Sequence, residues 1–312
     1  MFKHHFLSSL LLVAVFVLGF SSCGDDDDNA VPTTEQTIAE VVAGDPQFSI
    51  LLQALQQANL DGILGQAGAF TVFAPTDAAF EAAGIDLNTI DEDVLSETLL
   101  YHVFGGNVAS GDIMEGQTYL ATEAETGPNG ERLSLLVEKT GASVTLNGDI
   151  NVMTADVRTN NGVIHIVNKV LSPLNVVGHA QANSNFSTLV QSLIDADGDL
   201  VTTLNSPGPF TVFAPTNQEF ADIQSTVDEL STANLAKVLL YHVVPNANVT
   251  SSTLSAGPVP TANDGAQITI STNPARITDV TGATIDIVAT DVQATNGVIH
   301  VIGGVLLPDN LD

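Results

Sequence analysis

Cysteine, tryptophan and basic residues are scarce in this chain. The 312 residues include a single cysteine, Cys23, and no tryptophan. One cysteine allows no intramolecular disulfide, and the same count excludes a cysteine-rich metal site. With 7 Lys and Arg against 36 Asp and Glu, the formal net charge is −29. Such an acidic chain repels phosphate backbones, so nucleic acid is not an expected partner.

The first residues predict export and lipid attachment. An apolar stretch over residues 10–20 has the length of a signal-peptide core and is too short to span a bilayer comfortably. Two serines stand directly before Cys23. This pattern resembles the lipobox of bacterial lipoproteins, in which the cysteine thiol carries diacylglycerol. The alternative is an ordinary signal peptide with an incidental cysteine. We expect a signal peptide over residues 1–22 and a lipid on Cys23.

An acidic tether is predicted over residues 23–33. The adjacent carboxylates of Asp25–Asp28 repel one another and keep the chain extended. This run resembles the export tag of certain lipoproteins displayed on the outer face of the outer membrane, and the alternative is a solvated spacer. Either interpretation places the folded part on a short tether. We expect a lipid-anchored protein of the outer membrane that is exposed at the cell surface.

An internal repeat predicts two domains. Two FTVFAPT segments lie 140 residues apart, and two NGVIH segments lie 135 residues apart. Repeats of this length can each bury a core of their own. We expect a first domain over residues 34–174 and a second over residues 175–312. The repeated segments are Phe70–Thr76 and Phe210–Thr216, and Asn161–His165 and Asn296–His300.

Helix and strand signals are mixed within each repeat. Phe48, Leu51 and Leu55 lie on one face of a predicted helix that Asp45 caps. Thr216 and the glutamate three residues later form a capping box that predicts another helix.

Strands are predicted around the repeated motifs. Each FTVFAP segment alternates as a short strand closed by proline. The Asn-Gly pairs at 161–162 and 296–297 predict hairpin turns, because both residues tolerate positive φ.

Three ordered motifs occur in both repeats: FTVFAPT, a Tyr-His pair and NGVIH. FTVFAPTDAAF and FTVFAPTNQEF resemble the first signature of fasciclin (FAS1) domains, and NGVIHIVNKVLSP and NGVIHVIGGVLLP resemble the second. The resemblance implies an α+β fold of two tandem fasciclin-like domains, each a twisted β-sandwich of about seven strands with several packed helices. It also implies a role in extracellular adhesion and no common enzymatic activity.

Most signature residues are interpreted as structural. Burial of the large apolar side chains contributes roughly 1.5 to 3 kcal/mol each. A histidine inside an apolar strand can satisfy both ring nitrogens with neighbouring groups. The motif residues assigned to the scaffold are Phe70, Thr76, Asn161, Gly162, His165, Phe210, Thr216, Asn296, Gly297 and His300.

The Tyr-His pairs are candidates for partner binding. The resemblance implies this role, because animal fasciclin domains engage integrins through this region and a nearby Asp-Ile pair. The alternative for both tyrosines is a ring packed where a helix meets a strand, with its hydroxyl hydrogen-bonded. In the second repeat, Ser252 and Thr253 align with the Asp-Ile pair. The candidate partner-binding residues are Tyr101, His102, Asp112, Ile113, Tyr241 and His242.

The function that the sequence favours is binding at the cell surface, in contact with other cells, with matrix or with a host. One alternative is an accessory glycan-binding lipoprotein of a polysaccharide-utilisation system. The absence of tryptophan counts against it, because sugar rings stack on aromatic side chains. Another alternative is a hydrolase, yet no Gly-x-Ser-x-Gly nucleophile motif occurs. We expect no enzymatic activity and no cofactor.

The acidic segment Asp195–Asp199 superficially resembles a calcium-binding loop. The sequence DADGD has alternating carboxylates, but the glycine needed at the sixth position is Leu200 and the glutamate needed at the twelfth is Ser206. An acidic loop is the favoured interpretation, and no metal site is expected.

Overall fold

Two seven-stranded sheets, one from each half of the chain, carry the fold in a computed structural model that describes residues 36–311. These residues belong to one compact unit. The predicted signal peptide, Cys23 and the acidic tether lie outside the described residues. No helix within residues 36–311 is long and apolar enough to cross a membrane.

The first domain carries the sheet formed by β1–β7. Its helices and strands are α1 (Ile38–Gly44), a 3₁₀ turn (Pro46–Phe48), α2 (Ser49–Gln57), α3 (Asp61–Leu64), β1 (Phe70–Pro75), α4 (Asp77–Ala83), α5 (Glu92–Tyr101), β2 (Val103–Gly105), β3 (Gly116–Ala121), a 3₁₀ turn (Pro128–Gly130), β4 (Ser134–Thr140), β5 (Ser143–Leu146), β6 (Ile150–Thr159) and β7 (Gly162–Val167).

The second domain carries the sheet formed by β8–β14. Its elements are α6 (Val176–Ala182), a 3₁₀ turn (Ser184–Phe186), α7 (Ser187–Asp195), α8 (Leu200–Asn205), β8 (Phe210–Pro215), α9 (Asn217–Asp222), α10 (Gln224–Glu229), α11 (Thr232–Tyr241), β9 (Val243–Pro245), β10 (Gly257–Pro260), β11 (Gln267–Thr272), β12 (Ala275–Thr278), β13 (Thr284–Ala294) and β14 (Gly297–Ile302).

Both sheets have the same strand order. It runs β2-β1-β7-β6-β5-β4-β3 in the first domain and β9-β8-β14-β13-β12-β11-β10 in the second. One pair in each sheet is parallel, β1 with β7 and β8 with β14. These parallel pairs bring the two signature motifs of each repeat side by side. The expected α+β class, with about seven strands and packed helices in each domain, is confirmed.

Each domain has two apolar clusters. In the first domain, Phe48 and Leu99 belong to a cluster beneath the helices, whereas Phe73 and Leu135 belong to a cluster against the other part of the sheet. The second domain repeats both clusters. Burial of apolar side chains is the main driving force for folding, so each domain has a core of its own.

The predicted helix around Phe48 is present, but it begins later than its cap indicated. Asp45 accepts a hydrogen bond from the backbone of Gln47 at 3.0 Å and so caps the 3₁₀ turn, after which α2 starts at Ser49. The predicted capping box is also present. The carboxylate of Glu219 accepts from the backbone nitrogen of Thr216 at 2.9 Å at the start of α9.

The asparagine of each NGVIH motif ties the sheet to the helices. The Asn161 side chain accepts from the backbone nitrogen of Ile38 at 2.9 Å and donates to the carbonyls of Leu64 and Gln66, both at 2.8 Å. Asn296 makes the equivalent three bonds in the second domain. This side chain therefore joins three segments of each domain, which explains the need for an amide.

The glycine of the motif is needed for a reason other than the turn. A Cβ on Gly162 would lie 2.0 Å from the carbonyl oxygen of Phe70, and one on Gly297 would lie 2.2 Å from that of Phe210. The hairpins between β6 and β7 and between β13 and β14 do form. However, Asn161 is not among the residues with positive φ, so the expected turn geometry was wrong. Close approach of the parallel strands excludes any side chain here.

Candidate functional site

The two domains pack against one another through polar side chains. The backbone nitrogen of Gln293 in β13 donates to the Ser134 hydroxyl at 2.9 Å. The Asn185 amide donates to the Gln117 side chain in β3 at 2.8 Å. Ser134 and Gln293 are both buried. The contact therefore fixes one end of the first domain onto one end of the second.

The tyrosine of each Tyr-His pair is enclosed in its own domain. Tyr101 is fully buried, and its hydroxyl donates to the carbonyl of Ser134 at 2.8 Å and accepts from the Asn147 amide at 3.1 Å. Tyr241 is also fully buried, and its hydroxyl donates to the carbonyl of Gln267 at 2.7 Å. Burial raises the pKa of both tyrosines. Both rings are thus packed inside their domains with their hydroxyls hydrogen-bonded. This arrangement is the alternative to partner contact given in the sequence analysis.

The histidine of each pair bridges a helix and the chain after the last strand. Nδ1 of His102 lies 2.7 Å from the carbonyl of Thr98, and Nε2 accepts from the backbone nitrogen of Leu171 at 2.8 Å. Because Nε2 accepts, the ring is neutral with its proton on Nδ1. His242 repeats this arrangement. Burial lowers the pKa of each of these two histidines to about 4.

The histidine of NGVIH is held in the opposite tautomer. Nδ1 of His165 accepts from the backbone nitrogen of Asp156 at 3.3 Å, so Nε2 carries the proton and donates to the carbonyl of Val108 at 2.9 Å. His300 makes the same pair of bonds. Burial lowers the pKa of both histidines. Both ring nitrogens are therefore used by the scaffold in each repeat.

The loop that follows β2 is fixed at its base and exposed at Asp112. The Ser110 hydroxyl and backbone nitrogen donate to the Asp156 carboxylate at 2.6 and 2.7 Å. The Lys139 ammonium donates to the carbonyls of Ser110 and Ile113. Burial acts to raise the pKa of Asp156, but the bonds from Ser110 outweigh it and lower that pKa. Ile113 is buried, so Asp112 is the member of the Asp-Ile pair that faces solvent.

The structural equivalent of this loop in the second domain is shifted by one residue from the sequence alignment. Ser251 makes the bonds to Asp291 that Ser110 makes to Asp156. Thr253 and the leucine after it therefore correspond to the Asp-Ile pair, rather than Ser252 and Thr253. The second domain still lacks a carboxylate at this position.

A polar surface pocket of about 240 Å³ lies beside Asp112. Asn107, Asp112, Arg158 and Thr159 contribute its polar side chains. Asn107, Asp112 and Arg158 are exposed. An amide, a carboxylate and a guanidinium thus line this pocket. Its residue Arg158 was not identified from the sequence, because it lies outside the repeated motifs and only folding brings it next to the Asp112 loop.

The acidic run at 195–199 is used in helix ends. Asp199 has a left-handed backbone and its carboxylate accepts from the backbone nitrogen of Thr202, which caps α8. Asp195 accepts from the Gln191 side chain at 2.8 Å. Within residues 36–311 no group of three or more His, Cys, Asp or Glu is placed to hold a metal ion.

Most of the chain matches a known domain family. The model of the Fasciclin domain matches residues 46–173 and 184–308. A solved pair of FAS1 domains from the insect cell adhesion molecule fasciclin I superposes with a TM-score of 0.52, at 20% identity, over 84% of this chain and 97% of that one. That likeness shows the fold.

Relatives occur in bacteria and in animals. Protein sll1483 of Synechocystis is 41% identical over 142 residues, which cover 44% of this chain and 75% of that protein. Human periostin is 28% identical over 252 residues, which cover 78% of this chain and 28% of periostin. The chain thus spans well under half of periostin.

Proposed function

Because the chain belongs to the fasciclin (FAS1) domain family, we propose that it is an adhesion module that binds macromolecules at a cell surface and catalyses no reaction. Fasciclin domains are non-enzymatic adhesion modules. One observation carries the proposal: the histidines of the signature motifs use their ring nitrogens in hydrogen bonds that stabilise the fold. His102 and His165 are buried and have both ring nitrogens hydrogen-bonded to the backbone. Neither has a nitrogen left to act as a general base.

Contact with partners falls to exposed loops instead. The pocket beside Asp112 combines charged and amide groups on a loop whose base is fixed by Ser110 and Lys139. A loop held in this way loses little conformational entropy when it binds. This supports a role in recognition for Asp112, whereas the buried Tyr101 and His102 would act by holding the scaffold.

The same proposal places the protein on the outer membrane through lipid on Cys23. The serines before the cysteine and the acidic run after it support this location. A diacylglycerol together with an N-terminal acyl chain anchors a protein stably, because each buried methylene contributes about 0.8 kcal/mol. The tether would then present the domains to neighbouring cells, matrix or host surfaces.

Adhesion is tested with cells that display the full chain and matched cells that lack it. Binding to sister cells, to immobilised matrix proteins and to a glycan array is measured by retention under flow. We expect displaying cells to be retained on at least one of these surfaces. Equal retention of both cell types on all of them would refute the proposal. The purified unit of residues 34–312 is assayed in parallel for ester, glycoside and peptide hydrolysis, and turnover that needs His165 would also refute it.

A further inference from the structure

The contact between the two domains shows how one end of a fasciclin domain is covered. In the second domain the covered face, here called the head, includes Asn248 and Gln293. Their amides bond to each other at 3.1 and 3.2 Å, and the Asn248 amide also donates to the carbonyl of Pro128 at 3.3 Å. Both residues are at least 90% buried. The opposing face of the first domain, here called the tail, includes Tyr119, Pro128 and Ser134.

The head of the first domain is open. Matching hydrogen bonds place Asn107 and Arg158 where the second domain has Asn248 and Gln293, because Ser110 bonds Asp156 as Ser251 bonds Asp291. Asn107 and Arg158 are exposed and line the pocket of about 240 Å³ beside Asp112. The same face is thus covered by a protein neighbour in one domain and open to solvent in the other.

The tail of the second domain is open as well. Gln267 corresponds to Ser134, because its carbonyl accepts from Tyr241 as that of Ser134 accepts from Tyr101. Ser134 accepts from a backbone nitrogen of the covered head, and the exposed Gln267 amide can accept in the same way. The loop that precedes Gln267 contains the exposed residue Asp264.

Two differences between the repeats compensate for one another. The tail loop of the first domain, which reaches Asn248 through Pro128, is shorter in the second domain, where Asp264 and Gly265 lie between the positions that match Ala124 and Leu133. At the open head, arginine replaces the shorter glutamine. In a contact between the open head and the open tail, the longer cationic side chain at 158 would lie against the carboxylate at 264, and such a pair forms a charge-assisted hydrogen bond.

Residues next to these two positions also fit a contact between the open head and the open tail. Along β3 and β10, Pro258 takes the place of Tyr119, and along α1 and α6, Val41 takes the place of His179. Pro258 is exposed and Val41 partly exposed, so the aromatic contact of the covered face would be replaced by an apolar pair in a contact between the open head and the open tail.

We propose that two copies of this chain associate head to tail, with the open head of the first domain of one copy against the open tail of the second domain of the next, and Arg158 facing Asp264. The contact is heterologous, so a chain of copies can grow in an open row. This inference rests on the proposed adhesive function and names its partner as a second copy.

The test uses charge reversal in the compact unit of residues 34–312, studied by sedimentation equilibrium up to millimolar concentration at about 150 mM salt. At that ionic strength the Debye length is about 8 Å, so the general repulsion between acidic chains is screened while a direct contact persists. The variants are Arg158→Glu, Asp264→Arg and the double variant. Lys169→Glu and Glu229→Arg carry the same charge changes on exposed residues outside both faces.

We expect the average mass of the wild type to rise with concentration beyond that of one chain. Each single reversal at 158 or 264 should raise the concentration for half-assembly about tenfold or more, because like charges then meet at the contact. The double variant should restore assembly, and the two control variants should match the wild type. A wild type that stays monomeric at millimolar concentration, or reversals that act no differently from the controls, would overturn the inference.

The cell assay separates this inference from the proposed function. Cells that display Arg158→Glu should lose binding to sister cells that carry the same variant and to beads coated with the Arg158→Glu unit. Beads coated with the wild-type unit should still bind these cells, because the tail of the displayed variant is intact. If the purified chain stays monomeric while displaying cells are still retained on matrix or glycan surfaces, self-association is wrong and the adhesive function stands. If no surface retains the displaying cells, the adhesive function itself is wrong.

Discussion

The ring of His179 in α6 lies edge-on to the ring of Tyr119 in β3, with the ring centroids 5.7 Å apart and the planes at 65°. This contact joins the second domain to the first. His179 is fully buried, and neither ring nitrogen has a hydrogen-bond partner among the described residues. Burial lowers the pKa of His179 to about 4. The nearby backbone of Gln293 acts to raise this pKa, although it forms no hydrogen bond with the ring. The interface therefore requires a neutral imidazole.

Replacement of His179 by leucine should flatten the acid dependence of stability. The folded pKa lies below the ordinary value of 6.5, so stability is fully present above about pH 6.5 and is lost as the pH falls towards 4, where the unfolded chain binds a proton that the folded chain rejects. The whole shift corresponds to roughly 3 kcal/mol. Leucine binds no proton and breaks no hydrogen bond. Urea unfolding at pH 7 and pH 5 should show a difference that is smaller by roughly 2 kcal/mol in His179→Leu. An unchanged difference would contradict this role.

The histidines of the Tyr-His pairs should be required for stability in equal measure. His102→Phe removes the bonds to Thr98 and Leu171, so a part-buried carbonyl and a buried backbone nitrogen lose these partners. Each unsatisfied group costs about 1 to 3 kcal/mol. We expect a loss of roughly 2 to 5 kcal/mol in the free energy of unfolding, measured by urea titration at pH 7.

His242→Phe provides the matched comparison, because it has the same two kinds of partner in the second domain. The two variants should lose similar amounts. A loss below about 1 kcal/mol in either would show that the Tyr-His histidine is not a structural bridge.

The repeated motifs carried most of the fold prediction, since identical residues in two places must satisfy the same contacts twice. The strands formed by FTVFAP and the capping box at Thr216 follow from local spacing alone. The role of Asn161 does not. Its three bonds reach Ile38, Leu64 and Gln66, which are distant in sequence, so the motif indicated a turn while the fold uses the amide as a junction.

The candidate site was less predictable for a related reason. Asp112 could be singled out because it follows a recognisable pair, but Arg158 carries no motif and lies 46 positions further along the chain. A bulged β6 and the bonds between Asp156 and Ser110 bring Arg158 beside the loop. Contacts of this kind form only in the tertiary structure, so the spacing of residues along the sequence does not reveal them.

Loss of the Asn161 amide should unfold the first domain more easily. Asn161→Ala leaves the backbone nitrogen of Ile38 and the carbonyl of Leu64 without partners in a buried position, and the carbonyl of Gln66 without its partner in a part-buried one. At about 1 kcal/mol or more for each lost bond, the free energy of unfolding should fall by roughly 3 kcal/mol. Asn151→Ala, on an exposed side chain of β6, is the control and should change it by less than about 0.5 kcal/mol. Similar losses in the two variants would exclude Asn161 as a junction.

Attachment to the membrane should depend on the sulfur of Cys23. Cys23→Ser retains the size of the side chain but removes the thiol that would carry diacylglycerol, so the full chain should move from the detergent phase to the aqueous phase on Triton X-114 partitioning and from the membrane pellet to the soluble fraction of cells. Serine substitution leaves the domains unchanged, because Cys23 precedes the compact unit that begins at Thr34. The control is Ser22→Ala, which keeps a small residue before the cysteine and should remain attached. A Cys23→Ser protein that stays in the membrane fraction would contradict attachment through this cysteine.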